Sequence, residues 1–524
     1  MCARIAAEAA LLQRRQPEVE PDQKGEKMKR FLIIVLTALL LLSTACGPGS
    51  IKALAASDEQ ETESSISLFP RFDLAFVGDT MPFYDDGKMN IFYLADQRDG
   101  KTGYHPWALM RTEDYCTYED LGIVIPYAES GLEQDIALGT GCVIKGQDGL
   151  YHAFYTGHND IYAPKEAIMH ATGEDLEHWT KIPEDTFTAG DEYSKDDFRD
   201  PYVFYVEKES RYWMLVVTRT KETGVIVKYT STDLHTWKDE GILFEDDMGY
   251  GTNMECPSLL KYKDKWYLSF SDQWPDRVVH YRVADNISGP YQKPEKDTFD
   301  GNGFYAGRLE TDGENLYCVG WNATKIGHDD ANDYDWAGNA VVHQLEQQAD
   351  GTLRPIVNTK VIDTLSHKIE PSPVAMTETI KASKDKCEFS GDYYELVQFE
   401  PFDTAARVEA DINGVGSESL FGISFAPDIE NAGSLTYLFN VKESRIEFYN
   451  TQNLFDSDPQ SFMDFNFKEG EPLHISLLIS DGVASLYVNN EIALTARMYQ
   501  SQGMNWQFFS IKSAVSVDNV QFFN

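Results

Sequence analysis

The chain has 524 residues, 13% of them aromatic, and a formal net charge of −40. Its length exceeds a single ordinary core and predicts two domains, while so negative a surface repels phosphate backbones and excludes nucleic acid as a partner class. Aromatic abundance favours β-strands, which pack flat rings well, and also suits sugar binding.

Residues 1–27 fit no targeting pattern. Lys24-Gly25-Glu26-Lys27 would be encoded by a purine-rich stretch of the kind that binds ribosomes, so translation is expected to begin at Met28. From there Met28-Lys29-Arg30 forms a basic n-region, Phe31 to Leu42 an apolar h-region and Ser43-Thr44-Ala45 a small-residue exit, the three parts of a signal peptide. Cys46 directly after the small residues resembles a bacterial lipoprotein processing site. That resemblance implies lipidation of Cys46, an extracytoplasmic, cell-surface location, and membrane contact only through this anchor; plain secretion after Ala45 is the alternative. Residues 47–67 read as a solvated tether. The remaining cysteines, Cys116, Cys142, Cys256, Cys318 and Cys387, are odd in number and lack CxxC spacing, and read as buried free thiols.

From residue 68 to 362 a short turn-plus-aromatic phrase recurs: GKMNIFYL, GLYHAFYT, SRYWMLVV, DKWYLSFS and ENLYCVGW. A second phrase follows some of them, EDLEHWTKI around Trp179 and TDLHTWKDE around Trp237. A period of about 50–60 residues with several strands per unit predicts propeller blades, stacked radially because none can bury its faces alone. The fold class expected is all-β: a five-bladed β-propeller over 68–362, a linker over 363–376, and an antiparallel β-sandwich over 377–524. A long β-sandwich is the competing reading of the first part.

Asp79, Asp200 and Glu255 each fall about 10–12 residues before the aligned phrase of their units. If the first strand of each blade lines the channel, these acids converge at one mouth. Gathered carboxylates raise one another's pKa, so one can stay protonated while another stays ionised. Glycosidic cleavage needs that division: an acid for the leaving oxygen, a carboxylate that attacks carbon or activates water, and a third charge to balance the transition state. No metal-ligand spacing, phosphate loop or nucleophile elbow competes, so no cofactor and no metal are expected. Arg199 suits hydrogen bonding to sugar hydroxyls, and Trp107, Trp274 and Trp321 are either core or sugar platforms.

These residues resemble glycoside hydrolase family 32, the β-fructosidase family, which joins a five-bladed propeller to a β-sandwich. Arg199-Asp200-Pro201 and Glu255-Cys256-Pro257 match its Arg-Asp-Pro and Glu-Cys-Pro motifs; Gly139-Thr140-Gly141-Cys142 resembles its Ser-Gly-Ser strand; FYAGRL, with Tyr305, and ASLYVNNEIALTARMY are also similar. The resemblance implies a retaining hydrolase of β-fructofuranosidic bonds in sucrose or fructans. Asp79 would be nucleophile, Asp200 transition-state stabiliser and Glu255 general acid/base, with the carboxyls of Asp79 and Glu255 about 5–5.5 Å apart. Arg199, Trp107, Thr140, Tyr305 and Trp321 would contact substrate, an oligo- or polysaccharide. The chain departs from the pattern at the nucleophile box, here Val77-Gly78-Asp79-Thr80-Met81-Pro82: the family's Asn before the nucleophile is Gly78, and its Gln in the next strand is Leu94. Two rivals follow, an inverting furanosidase or xylosidase of family 43 type on arabinan or xylan fragments, and a lipoprotein that captures sugars without cutting them.

Overall fold

A computed structural model describes residues 66–524 except 99–103, 274–275, 371, 384, 403, 426–434, 451–453, 455–456 and 502. The expected signal peptide, the Cys46 lipidation site, most of the tether, and Trp274 lie outside the described residues.

Five blades of antiparallel strands follow one another in chain order. Their inner strands are Phe76–Asp85, Ala137–Lys145, Phe198–Val206, Met254–Tyr262 and Phe304–Thr311. Each packs on the next, and the fifth packs on the first, so the ring closes. A backbone pairing also seals it: Val77 of blade I lies opposite Gly338 of blade V. The recurring aromatic phrase forms the second strand of each blade, and these strands are almost wholly buried because blades cover them on both faces. The second phrase is a turn organised by an aspartate. Asp114, Asp175 and Asp233 each accept from backbone N–H groups two and three residues on, which satisfies a tight corner between blade strands.

Among the described residues, two antiparallel sheets of eight and seven strands form the C-terminal sandwich. Alternation along Ala406–Asn413 sends one face inward, where Val408, Ala410 and Ile412 meet Ile423, Phe508 and Leu477. Lys368–Ile369 and Pro373–Met376, within the segment expected as linker, are strands of these two sheets. Propeller and sandwich share one hydrophobic cluster, in which Leu478, Val483, Tyr487 and Ala493 pack with propeller residues such as Phe304 and Leu316. The five cysteines from Cys116 onward are buried and unpaired.

Candidate active site

Every inner strand carries the same defect at the same height. Its pairing with the second strand slips between residues 77 and 80, 138 and 141, 199 and 202, 255 and 258, and 305 and 308. At each slip two residues face one, a β-bulge, which bends the strand and re-aims its side chains. Asp200, Cys256 and Ala306 hold positive φ of 57°, 53° and 52° at the first bulged position. Pro201 and Pro257 take the second, where a missing N–H costs no ladder bond. The Arg-Asp-Pro and Glu-Cys-Pro triplets are therefore one structural device in consecutive blades.

The three acids occupy different places in that device: Asp79 is the second bulged residue, Asp200 the first, and Glu255 the residue just before. Asp79 accepts from Thr140 Oγ1 at 2.6 Å and from Trp321 Nε1 at 3.1 Å, so blades II and V orient its two oxygens. Asp200 is buried; its carboxylate accepts from the Cys256 N–H at 2.8 Å, and its own N–H donates to Thr156 Oγ1 at 2.9 Å. Glu255 accepts from Tyr305 Oη at 2.8 Å, Gln273 Nε2 at 3.0 Å and Arg199 at 3.3 Å. Burial, with the charges of Asp200 and Asp79 added, pushes the Glu255 carboxyl up to about 7 against the pull of Arg199 and Tyr305. Burial likewise raises Asp200, although Arg199 and Arg308 oppose it and Asp79 reinforces it. The charges of these acids bear on one another, Asp79 and Asp200 on Glu255 and Asp79 on Asp200.

Thr140, Tyr305 and Trp321 thus hold the acids by their polar atoms. Arg199 is bound to carboxylates on three sides, Glu166 and Asp197 as well as Glu255. Trp107 requires a correction. It is 0% exposed, lies among Phe92 and Tyr155, and donates Nε1 to the Gly139 carbonyl at 3.0 Å. Its ring buttresses the blade II bulge beside Thr140 and offers no face to a sugar. Residues that sequence reasoning missed include Gln273, Glu166 and Arg308. Arg308 is buried on blade V, sends its guanidinium across the axis to the Gly141 carbonyl, and places its charge near Asp200. It lies three residues past Tyr305 in FYAGRL, where its position alone could have marked it.

Gly78 and Leu94, the two departures from the family pattern, lie against one residue. A Cβ on Gly78 would collide with the Trp336 indole, coming within 2.6 Å of Cζ2. Leu94 packs in the cluster that Trp336 joins. Arg98 holds Trp336 in place by bonding its carbonyl at 2.6 Å and Asp335 at 2.9 Å. Trp336 meets Trp321 edge-on at 5.9 Å, and Arg277 lies over Trp321 and Tyr305. Beside Asp79 the wall is aromatic and apolar where the family pattern has two amides. A groove of about 480 Å³ lies apart from the acids, between blade IV and the sandwich around Asp297 and Phe462.

Residues 80–353 match the model of the glycosyl hydrolases family 32 N-terminal domain. The chain belongs to glycoside hydrolase family 32. Among curated family 32 relatives, the levanbiose-producing levanase of Bacillus subtilis is 22% identical over 358 residues, covering 60% of this chain and 64% of that protein. The match therefore spans less than two thirds of that relative's length. Sucrose-6-phosphate hydrolase from Lactobacillus gasseri superposes with a TM-score of 0.67 at 18% identity, over 86% of this chain and 91% of that one. A Bombyx mori β-fructofuranosidase solved in complex with sucrose gives 0.64 at 18%, over 88% and 92%. These superpositions establish the family 32 architecture of five-bladed propeller and sandwich.

Proposed function

We propose that this chain is a retaining β-fructosidase in which Asp79 is the nucleophile, Glu255 the general acid/base and Asp200 the transition-state stabiliser. A carboxylate oxygen of Asp79 attacks the anomeric carbon of a fructosyl unit while Glu255 gives its proton to the departing glycosidic oxygen. Water then attacks the same carbon, Glu255 takes its proton, and the Asp79 ester breaks, so configuration is retained. Asp200, held by the Cys256 N–H, balances the positive charge that grows on the ring. The observation that carries this reading is Glu255, a carboxyl raised to about 7 beside Asp79 and aligned by Tyr305 and Gln273. Such a group can be an acid in one step and a base in the next. The names of the relatives, levanase and β-fructofuranosidase, support fructosyl linkages as substrate. The segment from Met28 to Cys46 supports placing the enzyme outside the cytoplasm, held by a lipidated Cys46.

Asp79→Asn is expected to lower turnover by several orders of magnitude with the fold intact. Anomeric configuration followed by NMR on sucrose or levan should show retention; net inversion would remove the double displacement. One observation favours a second reading, capture without cleavage: Gly78 and Leu94, both against Trp336, stand at the positions where the family pattern has its two amides. A panel of sucrose, levan, inulin and arabino-oligosaccharides separates the two, because a wild type that binds one of these yet hydrolyses none is a binding protein.

A further inference from the structure

Outside the acid site, a cluster of titratable side chains spans blades II and III. Asp148 lies in the turn before the strand Tyr151–His158, which carries His152; His170 lies on the neighbouring strand Glu166–Gly173. Asp185 ends the 3₁₀ turn Pro183–Asp185, and His235 stands in the corner after the blade III strand Gly224–Ser231. Their polar atoms form a continuous line. His152 Nε2 is 3.2 Å from Asp148, His152 Nδ1 is 2.9 Å from His170 Nε2, and His170 Nδ1 is 2.7 Å from Asp185 Oδ2. His235 Nδ1 reaches the same Asp185 oxygen at 2.6 Å.

Counting hydrogens along this line exposes a deficit. From Asp148 to Asp185 there are three contacts, each needing a proton between its atoms, yet two neutral imidazoles carry only two N–H groups. If His152 donates to Asp148, then His152 Nδ1 accepts from His170 Nε2–H, and His170 Nδ1 turns a bare lone pair toward the Asp185 carboxylate. Two acceptors at 2.7 Å repel unless a cation lies between them. Both rings are only 1% exposed, and His170 lies flat on Phe154 at 4.3 Å, so confining the extra charge to one ring would bury an imidazolium.

We propose that His170 Nδ1, His235 Nδ1 and an Asp185 oxygen bind a divalent transition-metal ion, zinc by preference. Their ligand atoms all lie within 4.8 Å of one another. Two imidazole nitrogens and one carboxylate oxygen form a donor set that zinc takes with one position left open. The half-exposed His235 side chain gives a path from solvent. With the metal in place the two N–H groups suffice: His170 donates to His152 and His152 to Asp148, the outer support that fixes a ligating imidazole. The ion ties blade II to blade III. Sequence spacing hides the site, because only the stacking of two blades brings His235 to the other ligands.

The test uses full-length chain without a histidine tag, stripped by chelator and titrated with zinc against a chromophoric competitor, with stoichiometry from elemental mass spectrometry. One zinc per chain is expected, with a zinc-dependent rise in Tm of about 3 °C. His235→Ala should lose at least ~10-fold in zinc affinity and most of that rise, while its metal-free Tm stays near that of metal-free wild type. Asp185→Asn should behave alike. Zinc bound as tightly by His235→Ala as by wild type, no stoichiometric zinc at tenfold excess, or an NMR-detected imidazolium at His152 or His170 in zinc-saturated protein would each overturn the proposal.

Discussion

At Glu255 a carboxyl is enclosed by Tyr305, Gln273 and Arg199, and its folded-state value, about 7, lies above the ordinary 4.5. The folded chain therefore holds this proton more tightly than the unfolded chain. That contribution to stability is fully present below about pH 4.5 and is lost as pH rises through about 7. Its ceiling is about 3 kcal/mol. Glu255→Gln should consequently raise Tm relative to wild type at pH 8 and change it little at pH 4.5, while activity collapses; thermal melts at the two pH values check this. Tyr305 stabilises the charged form, so Tyr305→Phe should raise the Glu255 pKa further and move the alkaline limb of kcat/KM to higher pH. A limb that stays in place would deny Tyr305 its part in setting the acid.

Among the elements, the repeated bulge decides where chemistry can be done. It turns the residues at one height of five strands toward the axis, and three of those positions carry acids. Blade V contributes Trp321 to Asp79 through the strand Leu316–Lys325, and Trp336 to the space above Gly78 through the strand Tyr334–Gln347. Gly78→Asn should cost about 1–3 kcal/mol by overpacking against the indole. Combining it with Trp336→Ala should recover most of that loss, a coupling readable by urea denaturation as a double-mutant cycle. Additive losses would show that room beside Trp336 is not what keeps position 78 a glycine.

In the whole molecule, the sandwich braces the blade that orients the nucleophile candidate. Arg497, buried, donates from its guanidinium to the carbonyls of Ala323 and Asn322 and to Asn339, all on blade V. Burial pulls its pKa down to about 10. Asp330 of the propeller in turn accepts from the N–H groups of Tyr499 and Gln500. With a shared core and buried polar ties, propeller and sandwich should unfold together. Calorimetry is expected to show one transition for residues 66–524, and Arg497→Ala should lower its midpoint by stranding these carbonyls. Two resolved transitions would mean that each part is stable alone.

Much of this was legible in local sequence because much of it is local physics. Strand periodicity and turn residues set the five repeats, and Pro201 and Pro257, which lack an N–H, mark a break in the strand ladder. The acids could be found from their place in the repeat, since each blade builds that place from its own chain segment. What no segment contains is the identity of its neighbours across the ring. Trp107 reads as core or as platform until blade II is laid against it. Trp336 is one aromatic among many until it fills the gap above Gly78, some 250 residues away. Gln273 meets Glu255 within the blade IV hairpin, but Arg308 and the His170–Asp185–His235 cluster acquire their partners only when the blades close, because side-chain contacts at that sequence separation depend on the packed tertiary arrangement.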